Sequence, residues 1–288
     1  MTKDEEEINV IYIVGLGHSG STLLDLIIGS SKKCIGLGEI NKLRKFIENS
    51  KIDELNSDFW NLIVEKFNKE EIKPINLSLK ENLEILFHIL LRFPVKNRYK
   101  TGELYEEIFK KAKEEKPTIE YILDSSKDER DLVYLHENEK INLRIVHLIR
   151  DGRGVVNSHE RKDQNWFEAF SKWFIRNLWT KIYLRKIDKE KKKTISYDLF
   201  AKNPKKYIKK INKAFDLDIN ENNFIEEVNE EPSFRFSGNR MRHKKLRKIR
   251  YDQKWKKEMP KWKKALLTML CYIPNKLWVY REKISEKS

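Results

Sequence analysis

Cysteine is nearly absent. Cys34 and Cys271 are the only two in 288 residues, which excludes a disulfide framework and a four-cysteine metal site. That scarcity points to a reducing, intracellular setting. No apolar run approaches the roughly 18 residues that a membrane-spanning helix needs. The run near Leu266 is broken by Pro274 and reads as a core helix. The first residues, Met1-Thr-Lys-Asp-Glu-Glu-Glu7, are acidic where a secretory leader is basic. These absences together lead to the expectation of a cytoplasmic protein with no transmembrane segment. There is no internal repeat, no clean interdomain linker, and no recognisable zinc finger or other nucleic-acid module.

What is present is charge on a chain able to build a core. Hydrophobic residues make up 39% and charged residues 36%, enough for one large α/β domain or two small ones. Sixty Lys and Arg against 45 Asp and Glu leave a net charge of +15, which favours anionic partners or serves solubility alone.

The most informative stretch lies near the N-terminus. Val10-Ile-Tyr-Ile-Val14 is a short, β-branched apolar run, as in a buried strand. Gly15-Leu-Gly-His-Ser-Gly-Ser-Thr22 follows, and Leu23, Leu24, Ile27 and Ile28 then recur at helical spacing. A strand, glycine turn and helix start in that order gather backbone N–H groups and the positive end of a helix around one point. That point suits a phosphate or sulfate. The spacing is nearly that of a P-loop, but Ser21 stands where the lysine is expected. The loop can cradle an anion yet lacks the cation that grips the outer phosphates of ATP. His18 is its only side-chain candidate for a cation.

Further along, Cys34-Ile-Gly-Leu-Gly-Glu-Ile40 predicts a short strand or loop that delivers Glu39 to the top of a sheet. From Asn41 to about Lys116 the pattern is polar and helical, clearest at Leu83, Leu86, Phe87, Leu90 and Leu91, with Pro94 after the end. This predicts a helical insertion over the sheet, with His88 packed in its core. Strands are expected at 118–123, ending in Asp124-Ser-Ser-Lys127, at 143–149, ending at Arg150, and at 193–197. Ligands of open α/β sheets bind beyond the carboxyl ends of strands, and the glycine loop, Lys127 and Arg150 all fall there. Trp166, Phe170, Trp173, Phe174, Leu178, Trp179 and Ile182 form an aromatic helix stripe expected to pack in the core. Asn203-Pro204 starts a helix through Phe215. From Arg235 to Lys257 the chain holds eleven Lys or Arg and one acid, Asp252.

Two of these segments resemble one family. Gly17-His-Ser-Gly-Ser-Thr-Leu-Leu24 is similar to the 5′-phosphosulfate loop of sulfotransferases that use 3′-phosphoadenosine 5′-phosphosulfate (PAPS). Leu148-Ile-Arg-Asp-Gly-Arg-Gly-Val-Val-Asn-Ser158 is similar to the same family's 3′-phosphate motif. The resemblance implies one α/β domain over 1–288, a three-layer P-loop-like fold with a mainly parallel central sheet. A helical insertion occupies 41–117, and a basic C-terminal segment, 235–288, covers the donor. It implies PAPS as co-substrate and adenosine 3′,5′-bisphosphate (PAP) as product, with no metal required. Gly17, His18, Ser19, Gly20, Ser21 and Thr22 would hold the phosphosulfate, and Arg150 and Ser158 the 3′-phosphate. Tyr197 would lie by the adenine. Gly238, Asn239 and Arg242 match the closing segment, with Arg240 as a helper.

Lys127 and Glu39 resemble positions of the tyrosylprotein sulfotransferases, a cation near the leaving group and a base for the acceptor. His18 sits where family members usually carry lysine or arginine. His147 and His159 are alternative bases. Set against these roles, Arg150 could instead pair with Asp151, and Glu39 could instead complement a helix dipole. The acceptor is a hydroxyl of unspecified class: carbohydrate, lipid, small alcohol or phenol, or tyrosine. Two other functions remain open, a P-loop nucleotide-dependent kinase and a basic nucleic-acid-binding protein, the latter from the basic tail with Tyr251 and Trp255.

Overall fold

The apolar run at the N-terminus is buried on both sides, and that dictates the architecture. In β1 (Ile8–Gly15) every residue but Asn9 is buried. Val10, Tyr12 and Val14 join one hydrophobic cluster, and Ile11 and Ile13 join another. A strand with two apolar faces needs helices on both faces, as in parallel sheets. The structure, a computed structural model, describes residues 7–48, 58–67, 70–72, 79–91, 99–231, 234–236 and 244–281. Its sheet has five strands in the order β2 (Cys34–Gly38), β3 (Tyr121–Lys127), β1, β4 (Ile141–Ile149), β5 (Lys192–Ser196). Every pair is parallel. The strands at 118–123 and 193–197 are thus displaced from expectation: β3 runs on through Asp124-Ser-Ser-Lys127, and β5 stops before Tyr197.

The helices fill the crossovers. α1 (Ser21–Ile28) joins β1 to β2. A 3₁₀ turn (Ile40–Lys42) and α2 (Leu43–Glu48), α3 (Asp58–Val64), α4 (Leu79–Leu91) and α5 (Thr101–Glu115) lie between β2 and β3. α6 (Glu129–His136) joins β3 to β4. α7 (Gly152–Glu160) and α8 (Trp166–Leu184) join β4 to β5. After β5 come α9 (Tyr197–Phe200), α10 (Pro204–Phe215), α11 (Phe224–Glu230), α12 (Trp255–Glu258) and α13 (Lys261–Pro274). A π-helical turn, Asn275–Val279, continues from α13. As the sequence suggested, Asn203 caps α10, its side chain accepting from Lys206 N at 3.3 Å, with Pro204 in the first turn.

Two helices, α4 and α13, differ from expectation in what they bury. α4 buries Ile85, His88 and Ile89, while Leu83, Phe87, Leu90 and Leu91 face outward. The apolar residues outnumber the positions that α8 can cover, so the pattern predicts the helix but not its inner face. In α8 the aromatic stripe packs as expected: Trp173 is fully buried, Trp166, Phe170, Phe174, Trp179 and Ile182 are partly buried against the core, and only Leu178 of the stripe is exposed. Trp173 has a structural reason for its place: its Nε1 donates to Arg150 O at 3.0 Å and ties down the end of β4. α13 is not a core helix, since only Leu267, Cys271 and Pro274 of it are buried. Among the described residues, no helix is long and apolar enough to cross a membrane.

The basic tail begins as a staple. Arg235 Nε is hydrogen-bonded to Asp25 Oδ1, both side chains being almost fully buried, and Arg235 Nη2 donates to Asp25 O at 3.1 Å. Phe236 N donates to Leu37 O at 2.8 Å, and Trp60 Nε1 to Phe234 O at 2.7 Å. Three consecutive residues therefore tie α1, β2 and α3 together. Removing one member of a buried ion pair leaves the other charge uncompensated and costs about 3–5 kcal/mol. Arg235→Ala is therefore expected to lower the urea unfolding free energy by about that amount; a loss under about 1 kcal/mol would show that water reaches Asp25 instead.

Candidate active site

The strand order dictates where a site can form. β1 lies between β3 and β4, so the carboxyl ends of three parallel strands meet in one crevice, the usual ligand position in such sheets. From these ends come the Gly15–Gly20 loop, Lys127 and Arg150. The cleft above them has a volume of about 810 Å³, the size of a nucleotide-scale pocket.

The loop is built for close approach. Gly20 has φ 94°, and a Cβ there would run into the Tyr197 ring. His18 adopts φ 66° and Lys127 φ 70°, a left-handed backbone that non-glycine residues adopt at a cost. Leu24 N donates to Gly20 O at 3.1 Å as the helix begins. No side chain caps α1, so its first N–H groups open toward the cleft. Gly17, His18, Gly20, Ser21 and Thr22 line the cleft. Ser19 is 2% exposed and sits beneath the loop, outside that lining.

Two ion pairs flank the loop. Glu39, just after β2, is hydrogen-bonded by Lys127 Nζ, and Lys42 Nζ lies 2.6 Å from its other oxygen. Burial alone would raise the Glu39 pKa, but the charge and hydrogen bond of Lys127, then those of Lys42, leave it below the usual glutamate range. Burial lowers Lys127, and attraction to Glu39 only partly offsets this. On the other side, Arg150 is 5% exposed. Its Nη1 donates to His18 O at 2.7 Å and its Nη2 to Asp252 Oδ2 at 3.0 Å. Its guanidinium lies 4.9 Å from the Tyr197 ring centroid, and its Nε is buried with no hydrogen-bond partner. The neighbouring Asp151 does not take Arg150. It caps α7 and pairs with Arg153 at 2.6 Å, while Tyr280 and Asn275 also donate to it.

The histidines separate into different environments. Burial, then the charges of Lys162, His159, Arg150 and Lys127, push His18 down to about 4, so the imidazole is neutral around pH 7. His159 packs edge-on against His18 with centroids 4.9 Å apart, and its Nδ1 meets Gln164 Oε1 at 2.5 Å. It is mostly buried under the loop, outside the cleft lining. His147 is fully buried in β4, beside Asn177 Oδ1 at 3.1 Å. It cannot reach an acceptor and drops out as a base. His88 is packed, as expected, with Nε2 3.3 Å from Glu137.

No family model matches the chain, and neither does any curated protein. Solved structures do. The sulfotransferase domain from the Synechococcus PCC 7002 olefin synthase superposes with a TM-score of 0.59 at 16% identity, over 94% of this chain and 96% of that chain. The sulfotransferase domain from the curacin biosynthetic pathway superposes with a TM-score of 0.55 at 15% identity, over 91% and 97%. The chain has the sulfotransferase fold.

Within that fold, Ser158 and Tyr197 line the same cleft as the loop and Arg150. Gly238, Asn239, Arg240 and Arg242 lie outside the described residues. The segment that follows, from Leu246 to Lys254, forms one wall of the cleft, and Tyr197 OH donates to Arg250 O at 3.0 Å. Lys42, Arg161, Lys162 and Asp252 are cleft residues that the sequence did not single out. The two lysines and the arginine carry no motif, although Asp252 was legible as the lone acid of a basic tail.

A buried network beneath the cleft was also missed. Asp124 accepts from Tyr105 OH at 2.5 Å and from Ser126 N at 2.8 Å, and Ser126 Oγ accepts from Asn41 N at 3.0 Å. This chain of bonds fixes the turn that carries Glu39. Burial, only partly countered by the Ser126 and Tyr105 bonds, raises Asp124 to about 7. The signal for it was three polar residues ending an apolar strand. Among the described residues, no group of acids, histidines or cysteines could hold a metal ion.

His147 yields a pH prediction. Burial lowers it to about 4 from an ordinary 6.5. A depressed folded pKa means the native state must stay neutral, so its contribution is whole above 6.5 and is lost as pH falls toward about 4. The span corresponds to roughly 3 kcal/mol. His147→Gln, which keeps a donor for Asn177, should flatten the acid limb of unfolding free energy between those pH values. An unchanged limb would assign acid sensitivity to other groups.

Proposed function

We propose that the protein transfers a sulfuryl group from PAPS to a hydroxyl acceptor. The observation that carries this is a pair of anion seats at opposite sides of one cleft on the sulfotransferase fold. One is the uncapped start of α1, and the other is Arg150, which lines the cleft and whose Nη2 meets Asp252 on the cleft wall. A donor with anionic groups at two ends fits both. The backbone N–H groups at Ser21 and Thr22 and their hydroxyls would hold the phosphosulfate, with His18 as a neutral N–H donor. Arg150 and Ser158 would hold the 3′-phosphate, and Tyr197 would lie by the adenine. A bound anion would offset the charges of Lys162, Arg150 and Lys127 on His18, while burial, the larger cause of its low pKa, would remain. Gly238, Asn239 and Arg242 would close the site.

Asp252 adds a competitor at the second seat. A carboxylate already 3.0 Å from Arg150 must yield to, or repel, an incoming 3′-phosphate. Asp252→Asn should therefore tighten PAP binding several-fold in calorimetry. Arg150→Ala should weaken PAPS by about 10- to 100-fold, the worth of a charge-assisted bond. Adenosine 5′-phosphosulfate, which lacks the 3′-phosphate, should lose much less. Equal losses for both donors would mean that Arg150 does not read the 3′ end. A magnesium-dependent preference for ATP over PAP would favour a kinase instead.

Lys127 and Glu39 divide the chemistry. Charge develops on the bridging oxygen as the bond to sulfur breaks, and a cation there acts mainly on the transition state. Lys127 can turn to that oxygen only by leaving Glu39. The carboxylate then loses its strongest neutralising partner, its pKa rises, and it becomes a better base for the acceptor hydroxyl. The pair thus stores both groups in their working ionisation states, with Lys42 remaining beside Glu39. Glu39→Gln should leave PAP affinity nearly unchanged and cut turnover by about 10²–10⁴. Near-normal turnover in that variant would remove Glu39 from the mechanism. The first experiment is a screen of acceptors with PAPS and the full chain, since the class of hydroxyl is open.

A further inference from the structure

α13 is apolar on two opposite sides. Its inner side, Leu267 and Cys271, packs against the α7–α8 region. Its outer side carries Trp262, Met269 and Ile273, continued by Leu277 in the π-helical turn, exposed at 60%, 68%, 63% and 54%. With Leu266 half-buried between them, the spacing 262, 266, 269, 273, 277 follows one helix face. Scattered exposed apolar residues are ordinary, but a continuous ridge is not. The ridge extends onto α8, where Trp166 packs against Trp262 at 6.3 Å between centroids and against Phe167, itself 61% exposed.

The charge around this ridge has one sign. From Met259 to Arg281 the chain has five Lys or Arg and no acid. Acids on neighbouring elements are already engaged: Glu160 is paired with Lys263, and Glu168 with Lys172 at 2.6 Å. Lys261, Lys276 and Arg281 remain on the exposed surface. Tryptophan and aliphatic side chains on one face, bordered by cations, are the composition of a helix that lies in a membrane interface. At 14 residues, α13 is too short to cross a bilayer. A convex ridge also suits a deformable layer better than it suits a folded partner, which would need a matching groove.

We infer that the outer face of α13 seats on an anionic lipid surface, with Trp262, Met269 and Ile273 in the headgroup–acyl boundary and Lys261, Lys276 and Arg281 against the headgroups. Arg161 and Lys162 of the cleft rim precede α8, which shares the ridge, by a few residues of chain. The seat does not depend on which reaction the cleft performs.

The test is co-sedimentation of the full chain with vesicles of phosphatidylcholine, with and without phosphatidylglycerol. Binding should need the anionic lipid. A variant combining Met269→Glu and Ile273→Glu should lose at least about tenfold in vesicle affinity. Both sites are exposed, so the melting temperature should hold; combined Met269→Ser and Ile273→Ser gives a milder check if it does not. Vesicle binding that survives both pairs of substitutions would overturn the inference and assign the attraction to general surface charge. A concentration-dependent dimer that the substitutions dissolve, without vesicle binding, would instead make a second copy of the chain the occupant. Absence of binding to either kind of vesicle would also overturn it.

Discussion

Like charges crowded around one cleft repel, and the fold must hold them before any ligand arrives. His18, Lys42, Lys127, Arg150, Arg161 and Lys162 share this cleft or its rim. In a partly buried site such repulsion is weakly screened. The chain answers with carboxylates of its own. Glu39 takes Lys127 and Lys42, and Asp252 takes Arg150. His18 is kept neutral first by burial and then by the charges of Lys162, His159, Arg150 and Lys127. The two ion pairs would be opened by an anion entering the cleft, since it would compete with Glu39 and Asp252 for the same cations.

That balance depends on the sheet. Parallel strands deliver all their carboxyl ends to one edge, so residues distant in sequence, such as Lys127 and Arg150, converge without any loop being stretched. The convergence needs firm footing, and the anchors are polar groups buried under the strand ends. Trp173 holds Arg150 O, Arg176 donates to Lys127 O at 2.9 Å, and Asp124 holds Ser126, which in turn holds Asn41. Buried polar networks of this kind fix geometry because every lost bond leaves an expensive orphan. The left-handed backbone at His18 and Lys127 is therefore held from below.

The sequence showed the parts of this arrangement that have a local signature. β1, the glycine loop and α1 were legible because strand period, glycine and helix period follow one another within some twenty residues. Arg150 was legible because it ends an apolar run, Lys127 because it closes a strand, and the roles of Lys127 and Glu39 came from the family resemblance of their stretches. What stayed hidden depends on tertiary contact. That Arg150 takes Asp252 rather than the adjacent Asp151 follows from α7 needing Asp151 as its cap. That α4 buries Ile85 and Ile89 rather than Leu86 and Leu90 follows from where α8 lies. Arg235 looked like one more basic tail residue, yet it is a buried staple. Its partner Asp25 sits inside an otherwise apolar helix stripe, a local oddity that only a distant cation explains.

The missing P-loop lysine then acquires a physical account. A lysine at position 21 would bring its charge from the loop itself, along the axis of α1, where outer phosphates of a nucleotide triphosphate sit. Here Ser21 leaves that direction to backbone dipoles. The cations come instead from the side, on β3 and on the turn after β2, and they arrive with a carboxylate between them. A cation tied to a base suits a transfer in which one group must lose a proton while another gains negative charge. Ser21 in the loop weighs against a site for the outer phosphates of a nucleotide triphosphate, and Glu39 between Lys42 and Lys127 places a carboxylate beside cations, as a transfer to a hydroxyl requires. The nucleic-acid alternative explains neither, since phosphate contacts by a basic surface would gain nothing from buried carboxylates that neutralise it.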